Sequence, residues 1–220
     1  MADRWTTYDC YGTLIDWRQG IGGVLSRLFG EQHRARLLGR YYEVEAAIQA
    51  DGYRTYRDVL DLGTARIADE EGRELAPDER TAMSESLRDW PAFPDTGGAL
   101  GELRRRGWKL AILSNCDRDL IASSLPWLGA PVDLVIVAED VRSYKPAHGH
   151  WREFAERTGV TADRHVHVAQ SLFHDIAPAN DLGLRTVWIN RQDEAPGPRP
   201  TRELPDLTAL ADTVDELVPS

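Results

Sequence analysis

Thr7-Tyr8-Asp9-Cys10-Tyr11-Gly12-Thr13-Leu14 is the stretch that decides how this chain is read. A short strand-forming run ends in a carboxylate and passes directly into a Gly-Thr turn. In an open α/β sheet the ligand crevice lies beyond the carboxyl ends of the strands, so an Asp at the first strand's tip faces the place where chemistry is done. The same Asp would also serve as a helix or turn cap. The rest of the chain has to separate the two readings.

Three later segments set polar residues at or beyond strand tips. Leu110 to Leu113 runs into Ser114-Asn115; Leu134 to Val137 precedes Ser143-Tyr144-Lys145-Pro146; His165 to Ala169 runs into Gln170-Ser171 and then Asp175. Helical patterns at Thr96 to Arg106, Asp119 to Leu125, His150 to Thr158 and Asp175 to Leu182 separate these strands, and a further strand is expected at Thr186 to Ile189. Strands alternating with helices predict parallel pairing through right-handed crossovers. Arg191 to Pro205 holds Pro196, Pro198, Pro200 and Pro205 and reads as a surface loop before a last helix at Leu207 to Leu217.

The alternation is broken between Asp16 and Pro91. That stretch reads mostly as helix: Leu37, Leu38, Tyr41, Val44, Glu45 and Ile48 give a three-to-four-residue period, and Tyr53 to Ala68 and Pro77 to Leu87 give two more helical patterns. Asp16-Trp17 and the extended Trp90-Pro91-Ala92-Phe93-Pro94 flank it as hinges. The expected architecture is therefore α/β: a Rossmann-like parallel-sheet core of residues 1–15 and 92–220 with a helical cap domain, 16–91, inserted after the first strand.

Composition narrows the function class. The 220 residues are 42% hydrophobic and 28% charged, ordinary for a globular domain, and the apolar runs are strand-sized, so no membrane span is expected. No charged-then-apolar leader precedes the first strand, and a cytoplasmic protein is expected. A net charge of -10 with 26 scattered Lys and Arg argues against a nucleic-acid partner. Arg104-Arg105-Arg106 closes a helix before Gly107, where cations suit the C-terminal end of the dipole. Cys10 and Cys116 form neither a disulfide framework nor a zinc spacing and read as small buried thiols.

Taken in order, Asp9 with Gly12-Thr13-Leu14, Ser114-Asn115 after a strand, Lys145-Pro146, and a strand with Asp175 downstream resemble the haloacid dehalogenase superfamily of hydrolases over nearly the whole chain. The resemblance implies that Asp9 attacks the substrate to form a covalent intermediate that water then cleaves. Lys145 would be the cation that keeps Asp9 ionised. Ser114 and Asn115 would hydrogen-bond the substrate carboxylate or the nucleophile. Phosphatases of the superfamily carry a second Asp, with magnesium, two residues after the nucleophile. That position is Tyr11 here, which cannot supply the hard anionic oxygen magnesium favours, although it would also pass as a core aromatic.

Tyr11-Gly12-Thr13-Leu14 instead resembles the L-2-haloacid dehalogenases, which displace halide from carbon, so the substrate expected is a small carboxylate with no metal and no other cofactor. Arg40 falls where those enzymes place a halide-holding arginine in the cap, with Arg34, Arg36 and Arg54 as neighbouring competitors and a solvated helix face as the plain alternative. Trp151 stands where a tyrosine is expected. In the fourth motif, Gln170-Ser171-Leu172-Phe173-His174-Asp175, only Ser171 and Asp175 carry over. His174 is new, and either steers the hydrolytic water or supports Asp175 from behind. His148, His150, His165 and His167 read as loop or strand residues. These departures look closer to a side branch that includes azetidine-2-carboxylate hydrolase. A magnesium phosphatase and a catalytically idle scaffold are the remaining readings, and homodimer formation is left open.

Overall fold

The computed structural model describes residues 3–195 and 197–220; Pro196 of the proline-rich loop lies outside the described residues. The described residues form two compact units, one comprising 1–15, 92–115 and 125–220, the other 16–91 and 116–124.

The first unit is built on six strands: β1 Arg4–Tyr8, β2 Trp108–Ser114, β3 Leu134–Val137, β4 His165–Ala169, β5 Arg185–Ile189 and β6 Arg202–Leu204. All pair in parallel, in the order β3-β2-β1-β4-β5-β6, the doubly wound order. β1 sits centrally, with Tyr8 level with Ile112 of β2 and Val168 of β4. Every residue of β1 and of β4 is buried, as expected for a parallel strand covered on both faces. Trp5, Ala111, Leu113, Ile136, Trp151, Phe154 and Ala179 share one apolar cluster, in which Phe154 meets Trp5 edge-on at 5.4 Å.

The second unit is helical. α1 Trp17–Phe29, α2 Arg34–Ala50, α3 Tyr56–Glu70 and α4 Ala82–Ser86 form it, and after α5 Thr96–Arg105 of the sheet unit the chain supplies it with α6 Arg118–Ser124. Asp16 caps α1 by accepting from Gln19 N–H, and Thr55 caps α3 by accepting from Asp58 N–H. Asp16 and Trp17, read as a hinge, are thus a cap and the buried first residue of a helix. At Gly20 a Cβ would lie 2.3 Å from the Trp90 ring, so only glycine lets α1 approach that closely. Residues 116–124, placed in the core by the sequence reading, group with the helices because Asp117 accepts the free N–H groups of Tyr56 and Arg57 at the start of α3, at 2.8 and 2.9 Å.

The remaining helices are α7 Ala138–Val141, α8 Gly149–Thr158, α9 Ala177–Asp181 and α10 Leu210–Leu217. Three elements differ from the sequence reading. The helix expected at Pro77 to Leu87 is only α4, because the Glu79 carboxylate accepts from Ala76 N–H and from Arg73 and holds 77–80 as a turn. Asp175 lies in a π-helical turn, Leu172–Ile176, ahead of α9. The proline-rich loop contains β6, paired to β5 through Val187 with Arg202 and Ile189 with Leu204.

Candidate active site

β1 ends at Tyr8, and the next residue, Asp9, donates its N–H to Val168 O on β4, so the nucleophile candidate is fixed by the sheet itself. The chain then turns. Gly12, at φ 105°, occupies the left-handed region that favours glycine and donates to Ile15 O. The turn returns Thr13 to the strand tip, where its hydroxyl donates to Asp9 Oδ2 at 3.1 Å and accepts from Gln170 N–H at 2.9 Å. Arg191, just beyond β5, donates to Thr13 O while paired with Asp95 and lying 3.9 Å over the Phe93 ring. Neither Thr13 nor Arg191 is singled out by the sequence as a site residue, although Gly12-Thr13 is the signal for the turn.

Lys145, on the loop after α7, is the centre of the site. Its ammonium donates to Asp9 Oδ1 at 2.9 Å, Asp175 Oδ1 at 2.6 Å and Leu113 O at 2.8 Å, satisfying all three protons. Burial would lower its pKa, but Asp175 and then Asp9 outweigh that and raise it. Asp175 would be raised by burial, yet Lys145 and a hydrogen bond from His167 hold it down at about 2. Asp9 receives less compensation: burial, opposed by Lys145 and assisted by the charge of Asp175, pushes it up to about 6. One ammonium thus serves two carboxylates unequally, with Asp175 the firmly ionised member and Asp9 the basic one.

The other expected residues are placed as follows. Asn115 holds Lys145: its Oδ1 accepts Lys145 N–H at 2.7 Å and its Nδ2 donates to Lys145 O at 3.1 Å, which pins the loop. Ser114 Oγ is buried without a hydrogen-bond partner among the described residues, and Ser114 O accepts from His150 Nε2 at 3.0 Å. His150 is kept neutral, at about 4, by burial and then by the Lys145 charge. Ser171 Oγ caps the π-helical turn by accepting from His174 N–H at 3.0 Å and lies 3.2 Å from His174 Nδ1. Tyr11 is half-buried and bridges to Ile15.

Trp151, expected at the pocket, is instead 3% exposed and packs edge-on against His167, because α8 turns it into the core cluster. His167, read as an ordinary strand residue, comes within 3.1 Å of Asp175 Oδ1, because the π-helical turn folds Asp175 back over β4. Arg40 belongs to the helical unit, where it pairs with Glu43 and Glu70 and stays half exposed. Both cysteines are buried thiols outside any disulfide. The described residues contain no set of three or more His, Cys, Asp or Glu arranged to hold a metal ion, and Tyr11 occupies the position where a third carboxylate would be needed, so the donor set does not fit magnesium. No helix among them is long and apolar enough to cross a membrane.

A family model described as haloacid dehalogenase-like hydrolase matches residues 7–183. The chain is 25% identical over 227 residues to (S)-2-haloacid dehalogenase 4A of Burkholderia cepacia, covering 98% of this chain and 94% of that one. It is 31% identical over 158 residues to a phosphoserine phosphatase of Thermus thermophilus, covering 70% and 61% of the two chains. Among solved structures, the L-2-haloacid dehalogenase RSc1362 shares the fold with a TM-score of 0.87 at 23% identity, covering 98% of this chain and all of that one.

Proposed function

The chain belongs to the haloacid dehalogenase-like hydrolase family, and from that premise we propose that it displaces a leaving group, typically halide, from the carbon next to a carboxylate through an ester on Asp9. The observation that carries this reading is the single ammonium of Lys145 shared by Asp9 and Asp175, beside a tyrosine where a metal-binding carboxylate would be needed. An oxygen of Asp9 bonds to the substrate's C2 as the carbon–halogen bond breaks and halide leaves with the electron pair. Partial desolvation raises the basicity of Asp9, while Lys145 and Thr13 keep it ionised and oriented.

Water then adds to Cγ of the ester, its proton passing to Asp175. Collapse breaks the bond from Cγ to the substrate oxygen, the departing alkoxide takes a proton and leaves as the 2-hydroxy acid, and Asp9 is restored with an oxygen from water. Ser114 Oγ, buried and unpartnered among the described residues, is the group we assign to the substrate carboxylate. Tyr11, Ser171 and His174 complete the lining in this reading, while Asn115 acts through Lys145. In this proposal residues 16–91 are the cap domain, whose part is to keep bulk water from the ester. Two thiols outside any disulfide fit a cytoplasmic protein, and a homodimer is part of the same proposal.

A second reading keeps the attack and changes the leaving group. Leu172 and His174 in the fourth motif favour ring opening of azetidine-2-carboxylate, in which the leaving nitrogen takes a proton. One screen tests both: halide release from small (S)-2-haloacids, ring opening of the cyclic amino acid, and hydrolysis of an aryl phosphate with and without magnesium. Activity on the phosphate alone, abolished by chelator, defeats the proposal.

A further inference from the structure

Beneath Asp175 runs a chain of buried polar groups that no step above uses. Asp175 Oδ1 lies 3.1 Å from His167 Nε2; His167 Nδ1 lies 2.8 Å from Thr7 Oγ1; Thr7 Oγ1 lies 2.7 Å from His165 Nε2. The parallel register makes this contact, since Thr7 of β1 is level with His167 of β4 and Trp5 with His165, so alternate residues of the two strands meet on one face. All four side chains are buried. With both rings neutral, a chain of this kind admits one order of protons. An ionised Asp175 only accepts, so His167 Nε2 carries the proton and donates. His167 Nδ1 must then accept from the Thr7 hydroxyl, which in turn accepts from His165 Nε2–H.

We propose that His167 is a positioning residue for Asp175: a fixed neutral donor, locked in one tautomer through Thr7 and His165, that holds the carboxylate in its proton-accepting form and leaves its second oxygen for the water that opens the ester. The inference rests on the ester reading for the water's role, and on the hydrogen-bond geometry of a neutral, buried ring for the tautomer. Both buried donors, Lys145 and His167, converge on Oδ1. The groups facing the ring are Asp175 from the π-helical turn, Lys145 from the loop after α7 with Asp9 beyond it, His165 and Thr7 from the sheet, and Trp151 from α8, whose ring meets that of His167 in a T-shaped contact. Burial lowers the pKa of His167 against the pull of Asp175, and burial holds His165 at about 3, so both rings are neutral donors at neutral pH. A bond from a neutral donor to a charged acceptor is strong enough to move a carboxylate by about one pH unit.

The test has two arms. In the first, nitrogen-15 NMR of the histidine rings of the wild-type protein without substrate at neutral pH should show His167 protonated at Nε2 and hydrogen-bonded at Nδ1. An imidazolium, or a proton on Nδ1, overturns the proposal. In the second, single-turnover kinetics on a haloacid that gives a halide burst should show His167→Phe keeping the burst while the acid limb of the ester-hydrolysis step moves up by about one unit. His167→Gln, which presents an amide donor where Nε2 stood, should restore the limb; Thr7→Val should move it the same way by less and serves if the Phe variant fails to fold. An unmoved limb in His167→Phe or Thr7→Val overturns the proposal. Absence of a burst in the wild type defeats the ester reading, and the tautomer then decides the role of His167 alone.

Discussion

Lys145 and Arg40 each sit between two carboxylates. In the sheet unit, Lys145 lies 2.9 Å from Asp9 and 2.6 Å from Asp175, with side-chain exposures of 1%, 13% and 1%. In the helical unit, Arg40 lies 2.7 Å from Glu43 and 2.7 Å from Glu70, with exposures of 44%, 69% and 41%. Inventory and distances are nearly the same, so solvent makes the difference. Around Arg40, water screens each pair and the charges are free to exchange partners. Around Lys145, desolvation raises the cost of every charge, one ammonium cannot fully offset two carboxylates, and the remainder appears as a basic Asp9. Function is expected where compensation is incomplete, which explains why a halide-holding role for Arg40 would require it first to leave both glutamates.

The largest expected effect is at the acceptor that is least compensated. Asp9→Asn keeps size and shape but removes the attacking oxygen, so turnover should fall by roughly 10⁴-fold or more while the thermal melt stays cooperative. Wild-type turnover in that variant would remove Asp9 from the mechanism. Lys145→Met should come next: it leaves two buried carboxylates facing each other, abolishes most activity and destabilises the protein by about 3–5 kcal/mol near neutral pH. With their cation gone, both carboxyls have folded pKa values above their unfolded ones, so that variant should be most stable in acid and lose stability as pH rises, as denaturant titrations at pH 5 and 8 would show.

In the wild type the two carboxyls oppose each other. Asp9, raised to about 6, contributes stability that is present below about pH 4 and lost as pH rises through 6; Asp175, lowered to about 2, contributes stability present above about 4 and lost as pH falls through 2. Because only ionised Asp9 attacks, kcat/KM should fall about tenfold per unit below a limb near 6, and a limb near 4 would show Asp9 to be an ordinary carboxylate. The smallest effect should be at Arg40, where alanine removes screened pairs: melting temperature should scarcely move, and any loss of haloacid turnover in single-turnover assays would show that Arg40 leaves Glu43 and Glu70 to meet an anion.

The contrast also marks what could be read from sequence. β3 at Leu134–Val137 stands where its apolar run places it, and β4 at His165–Ala169 where Val166, Val168 and Ala169 place it. β6 went unread because three residues on a sheet edge, flanked by prolines, carry no such signal. Polar types at strand tips pointed to Asp9, Lys145, Ser114 and Asp175, but their partners depend on register and turn geometry. Asn115 looks like a ligand-facing amide and instead clamps Lys145, and His167 looks like a strand residue until the π-helical turn brings Asp175 back onto it. The exposure of Arg40 was equally unreadable, since an arginine on a helix has the same spacing on either face.

The most direct test of the central claim, that Asp9 is itself esterified, is to run many turnovers on an (S)-2-haloacid in ¹⁸O-water and weigh the peptide containing Asp9. Attack by water on the ester carbonyl predicts heavy oxygen in Asp9, with the first-turnover product carrying ordinary oxygen from the enzyme. Heavy oxygen in the product from the first turnover, with an unlabelled Asp9, would mean that water attacks the substrate directly and would contradict the account.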